Sequence, residues 1–333
     1  MAGQRWNEFA EIAVRQMGQV QTGEKLIILA DTKTDRMVAE ACAEAGKNIG
    51  ADTRLLVIPW MALTDTRDLN EEAIDAIHGA DVVIGLCETM FVEKASTEAA
   101  RRNGTRITAT TIAGMEDFAI EGIVDVDYER MIENAKRGCE LWENTKICQV
   151  TSTLGTDIRF LMKGRPALIG DGMATAPGEV DFFPGVSIAN APVEETICGT
   201  IIIDGNIPPG RLVETPVTCR IERGILVEIS GGADAGALER QFEESGDPVA
   251  KHLCHFTLGL NPRAKTTGNV HQDEHVLGAV TFGFGSQDPD FKGTVPPSKV
   301  HFDVVLKSPT ILLDGIVMCE NNLLNPDLGL GGL

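Results

Sequence analysis

Near residue 147 the chain changes its pattern, and that change constrains the fold more than any other feature. Before it, short apolar runs alternate with stretches of helical spacing: "KLIILAD", "DRMVAEACAEAGKNIG", "TRLLVIP", "NEEAIDAIHGA", "DVVIGL", "VEKASTEAARRNG", "TRITAT" and the long "DYERMIENAKRGCELWENT". Alternating strands and helices predict a parallel sheet covered by helices. After it, strands follow one another between glycines: "ICQVTS", "TDIRFLM", "GTIIIDG", "VTCRIERG" and "ILVEISGG", with "DAGALERQFEES" as the one convincing helix. "IERGILVEI" reads as a hairpin turning at Arg223-Gly224. The expected fold is therefore α/β. A parallel, helix-covered, Rossmann-like domain spans 1–146, and an α+β, mostly antiparallel domain spans 147–333.

Composition narrows the partners. The chain has 333 residues, enough for two cores, and carries 29 Lys+Arg against 49 Asp+Glu, a formal charge of −20. Phosphate binding needs a basic footprint, so neither a nucleic acid nor an anionic membrane surface is an expected partner. No apolar run approaches the roughly 20 residues that span a bilayer. The start, "MAGQRWNEFAEIAVRQ", lacks the apolar core of a signal peptide. Eight cysteines occur without a CxxC, mostly in apolar surroundings, which suits buried free thiols in a reducing compartment. A cytoplasmic location is expected. The first strand leads into "LADTKTDRM", without the GxGxxG that brings backbone amides to a pyrophosphate. GxxxxGK[ST], GxSxG and HExxH are absent as well.

Histidine placement is the positive signal. Five of the six histidines fall between residues 252 and 301: His252, His255, His271, His275 and His301. The sixth, His78, sits at a helix end, where an imidazolium favours the carbonyl dipole. "GNVHQDEHVLG" crowds His271, Asp273, Glu274 and His275 into a polar segment, read as a solvated loop whose H-x-D-x-H spacing could also hold a metal. In "KVHFDVVLKSP" the period of two places His301 and Asp303 on one strand face. They form either a solvated rim or two ligands at a fixed separation. Two imidazoles and one carboxylate can occupy one face of an octahedral ferrous ion and leave the other face to substrate and dioxygen. The third ligand would come from elsewhere in the same domain.

"HLCHFTLGLNPRA", "GNVHQDEHVLGAVTFGFG" and "VHFDVVLKSPTILLDG" resemble the C-terminal motifs of the thermophilic-type metallo-aminopeptidases (aminopeptidase T). The resemblance is strongest to the divergent branch containing the 2,5-dihydroxypyridine 5,6-dioxygenases. It extends through "GTDIRFLMKGR", "PVEETICGTIIIDG" and "GGADAGAL" and is thin before residue 150. Three positions that hold metal ligands in the peptidases match Ser187, His255 and Thr281, which speaks against a two-metal centre. The dioxygenase pattern implies one Fe(II) held by His255, His301 and Asp303. Two pocket histidines of that branch match Glu93 and Phe182, so the resemblance implies a catalytic acid–base role for Glu93 and a related, not identical, ring substrate.

The expected function is an Fe(II)-dependent, extradiol-type dioxygenase that cleaves a hydroxylated N-heteroaromatic ring, taking a small molecule and dioxygen. A metal-dependent hydrolase of amides, cyclic imides or peptides is the alternative, and a non-catalytic binding protein the third. Relatives of this fold associate, so a homo-oligomer is expected on the resemblance.

Overall fold

The structure, a computed structural model, describes residues 2–62, 65, 67–110 and 117–333. The described residues form two compact units. The first comprises 1–126 with 170–185, and the second 127–169 with 186–333.

The first unit is built on a parallel sheet. Its strand order is Asp52–Ile58, Lys25–Asp31, Val82–Gly85, Arg106–Ala109, Val180–Phe182. The central strands are nearly continuous apolar runs because helices cover them. Local chemistry sets the element ends. Asp35 accepts from the Met37 amide at 2.8 Å and opens the helix Arg36–Ile49, and Gly50, at φ 88°, closes it. Asn70 accepts from the Ala73 amide at 2.9 Å and opens Glu71–His78.

The units do not divide at 146/147. The expected boundary assigned the helix Tyr128–Asn144 to the first domain by sequence order, but its apolar face belongs to the second unit. There Trp142 is fully buried and stacks on Phe256 at 4.3 Å between ring centroids, and Gly138 lets Ile188 approach. Residues 170–185 make the opposite exchange: Thr108 donates to the Gly172 carbonyl at 2.6 Å, and Val180–Phe182 extends the parallel sheet beside Arg106–Ala109.

The second unit holds two sheets. One, of eight strands among the described residues, runs from Ile225–Ser230 to Leu323–Leu324. Its hairpin turns at Arg223 and Gly224, with φ of 50° and 77°, the left-handed pair that a two-residue turn requires. The other sheet carries Ser187–Asn190, Leu253–Gly259, Val280–Gly285 and His301–Leu306 side by side and antiparallel. One face of this sheet is core: Phe256, Phe282 and Phe284 are buried, Phe160 meets Phe256 edge-on at 4.8 Å, and Phe242 meets Phe302 at 5.3 Å. The other face carries the histidines.

Trp142 anchors this core, and its indole N–H reaches the Met318 sulfur at 3.1 Å. Trp142→Ala is expected to cost about 3–5 kcal/mol, the range for a large aromatic lost from a packed core. A urea midpoint unchanged from the unaltered protein would contradict this account of the helix.

All eight cysteines are unpaired. Seven are buried as expected. Cys198 is exposed, at the start of a strand, with its sulfur toward the Arg223 amide at 3.4 Å. No helix of the described residues is long and apolar enough to cross a membrane.

Candidate metal centre

Three adjacent strands build the site. In register, His255 faces Gly283, and Gly283 faces Asp303; two pairings further, Gly285 faces His301. His255 and Asp303 thus flank the middle strand in one row. Residues two apart point to the same face, so His301 joins them. The middle strand contributes no side chain at that row. A Cβ on Gly283 would lie 2.2 Å from His255 Cε1 and 2.4 Å from its Nδ1, so the imidazole occupies the space above the glycine. Asp303 then takes both rings: Oδ2 is 3.1 Å from His301 Nε2, and Oδ1 is 3.5 Å from His255 Nε2. The imidazoles lie nearly parallel, 5.1 Å apart at 11°, and Phe291 stacks on the outer face of His255 at 5.6 Å.

The other ring nitrogens have their own partners. His301 Nδ1 lies 2.7 Å from the Ser286 carbonyl, so it carries a proton, and Nε2 is the nitrogen that faces Asp303 and could meet a cation once it gives up its own proton. His255 Nδ1 lies 3.7 Å from the Cys254 sulfur, which is 3.9 Å from His301 Nδ1. Donor atoms of Cys254, His255 and His301 lie within 4.8 Å of one another.

The charges are coupled. Burial works against a charged carboxylate at Asp303, but His301, then His255, with a smaller contribution from His271, override it and hold its pKa at about 2. Burial likewise works against an imidazolium at His301, and the Asp303 carboxylate overrides it, raising the pKa well above the ordinary value. The His301 side chain keeps 32% of its surface exposed, so water moderates that attraction. His255 is raised too, against its burial, by Cys254 and Asp303. Burial would raise the Cys254 thiol, yet the two imidazoles bring it down to about 7.

Fit to a cation can be tested on one atom. Asp303 Oδ1 is buried and has no hydrogen-bond partner among the described residues, while His255 Nε2 faces it at 3.5 Å. A buried carboxylate oxygen without a donor calls for an ion or water. Two imidazole nitrogens and this carboxylate are a donor set for ferrous iron or zinc.

The remaining residues separate from this centre. His252 Nδ1 lies 3.2 Å from the Val249 carbonyl, at the end of a helical turn, beside a cavity of about 580 Å³ that His252 lines with Glu194, Arg223 and Thr294. The segment read as a solvated loop is instead the short helix Val270–Asp273, with Gln272, Asp273 and His275 buried. Asp273 accepts from the Thr267 and Gly268 amides at 2.6 and 2.9 Å and from Asn206 at 2.8 Å, so its carboxylate ties the segment to the sheet. His275 Nδ1 meets the His271 carbonyl at 2.6 Å. The burial comes from those bonds, which sequence spacing does not reveal. His78 bonds the Ser96 carbonyl at 2.9 Å, in keeping with a structural role. Glu93 belongs to the first unit, where it ends the turn Phe91–Glu93 with its side chain exposed. Phe182 lies on the edge strand of the parallel sheet. Ser187 and Thr281 are buried on strands of the sheet that carries His255 and His301, and the Thr281 hydroxyl has no hydrogen-bond partner among the described residues. Sequence reasoning passed over Gly283 and Cys254. The glycine-spaced "TFGFG" was the available signal for the first, since a strand glycine marks a close approach.

Comparison with known proteins places the chain. Residues 9–325 match the family described as "NicX: 2,5-dihydroxypyridine 5,6-dioxygenase". The 2,5-dihydroxypyridine 5,6-dioxygenase of Pseudomonas putida is 24% identical over 329 residues, covering 90% of this chain and 91% of the relative. The solved 2,5-dihydroxypyridine dioxygenase from Pseudomonas putida KT2440 superposes with a TM-score of 0.75 at 22% identity, over 98% of each chain. AmpT from Thermus thermophilus superposes with a TM-score of 0.67 at 18% identity, over 96% of this chain and 98% of its own. Both share the fold. With the match running through nearly the whole chain, the protein belongs to the 2,5-dihydroxypyridine 5,6-dioxygenase family.

Proposed function

We propose that the protein is a ring-cleaving dioxygenase acting on a dihydroxypyridine-like compound, with one ferrous ion held by His255, His301 and Asp303. Family membership supports the reaction class. The single observation that carries the site is the convergence of two imidazole Nε2 atoms on one carboxylate whose buried Oδ1 has no hydrogen-bond partner among the described residues.

Ferrous iron bound there would supply the redox step that couples ring electrons to dioxygen. The chain's own contributions are positional. Ser286 holds the His301 tautomer, Gly283 gives His255 its place, and Asp303 offsets the charge of the cation. Binding a metal displaces protons from the imidazoles, because only their neutral form is a ligand. Glu93 is proposed as the acceptor of a substrate hydroxyl proton; its support is its match to a pocket histidine of the related dioxygenases. The enzyme is also proposed to act in the cytoplasm, in line with its unpaired cysteines, and as a homo-oligomer, in line with relatives of the fold.

The test is dioxygen uptake by anaerobically iron-loaded protein given 2,5-dihydroxypyridine and related ring diols. The expected result is uptake that requires both iron and substrate, with Glu93→Gln slowing turnover at unchanged metal content. Turnover of an amide or peptide under argon with zinc would overturn the reading in favour of a hydrolase, which the likeness to AmpT makes the natural rival.

A further inference from the structure

We infer that Cys254 is a positioning residue of this centre: its sulfur accepts the Nδ1–H of His255 and so keeps the Nε2 lone pair directed at Asp303. The inference rests on the metal-centre reading above and concerns a residue outside the proposed ligand set.

Consecutive residues of a regular strand point to opposite faces, so Cys254 and His255 should not meet. They meet because the ladder shifts register between Leu253 and His255, a bulge that lets neighbouring side chains share one side. Gln287 Nε2 donates to the Cys254 carbonyl and holds the bulge in place. The result puts the sulfur 3.7 Å from His255 Nδ1, and no other hydrogen-bonding atom of the described residues meets that nitrogen.

A neutral imidazole carries one N–H, and the partner of one nitrogen decides the state of the other. For His301 the decision is made by the Ser286 carbonyl at 2.7 Å, and the sulfur at 3.9 Å is the poorer partner. For His255 only the sulfur can make it. With sulfur as acceptor, the proton sits on Nδ1 and Nε2 is free for a cation. With S–H as donor to Nδ1, the proton moves to Nε2 and the metal position closes. The acceptor role is therefore a condition of metal binding. Metal-bound histidines generally donate their second N–H to an oxygen; here a thiol takes that place.

The experiment is a cobalt(II) titration of metal-free protein, followed by absorbance. Cys254→Ala is expected to weaken cobalt binding by about 10–100-fold, the usual cost of losing such an outer partner. Cys254→Ser, whose hydroxyl also accepts, is expected to retain most of the affinity. If the alanine variant does not fold, Cys254→Val, which has no acceptor, replaces it with the same expected loss. The unaltered protein should show no sulfur-to-cobalt charge-transfer band in the near ultraviolet. Three results overturn the inference: full affinity without an acceptor at 254, a serine variant that loses as much as alanine or fails to fold, or a charge-transfer band that disappears in Cys254→Ser, which would make the sulfur itself a ligand. Absence of cobalt binding by the unaltered protein would instead overturn the metal centre beneath it.

Discussion

Asp303→Asn is expected to remove tight metal binding while leaving the fold in place. The carboxylate stands between two imidazoles, 3.1 Å from one Nε2 and 3.5 Å from the other, so in the proposed centre it is the group through which both rings would address a common cation. An amide of the same size keeps the packing and removes the charge. The loss should exceed the ~10–100-fold that follows removal of an outer partner, because the proposal makes Asp303 a ligand. His301 should respond as well. Its pKa is held high chiefly by Asp303 acting against burial, so the asparagine variant should lower it toward the neutral imidazole. Isothermal titration with ferrous or cobalt ion, with histidine proton resonances followed against pH, reads both effects. Retention of full metal affinity by Asp303→Asn would remove Asp303 from the centre, and with it the proposed ligand set.

The second large effect is expected from a methyl group. Gly283→Ala adds a Cβ where His255 Cε1 would lie 2.2 Å away, well inside contact distance. Either the ring or the strand must yield. Overpacking of this kind costs about 1–3 kcal/mol, and a ligand displaced by about 1 Å leaves a site too loose to hold its metal. The expected result is a metal affinity lowered on the order of 10–100-fold, together with a destabilised metal-free protein. The cause can be isolated. In a His255→Ala background the space above residue 283 is open, so adding Gly283→Ala should then cost little stability. If the double variant is as destabilised as the sum of the two single changes, the clash with His255 is not the reason for the glycine.

Parts of this centre were readable from the chain alone. "VHFDVVL" places His301 and Asp303 on one face of any strand it forms, because side chains alternate with a fixed period. The turn at Arg223-Gly224 and the helix end at Gly50 were readable for the same reason: they depend on the conformation of one or two residues. The family motifs pointed to His255 rather than His252, His271 or His275, and the geometry brings His255 to the same carboxylate as His301.

What sequence by itself determined, then, was local: the change of pattern near 147, the alternation that pairs His301 with Asp303, and the chemistry of the donors. What only the tertiary structure decided depends on how distant segments align. The helix Tyr128–Asn144 joined the second unit because Trp142 found Phe256 there. Asp273 proved to be a buried tie because Asn206 and two amides of its own loop converge on it. Gly283 became the floor beneath His255 only through the register of three strands. Cys254 reached the imidazoles only through a bulge in one of them. Register and bulges are properties of paired strands, and no single strand carries them in its own sequence.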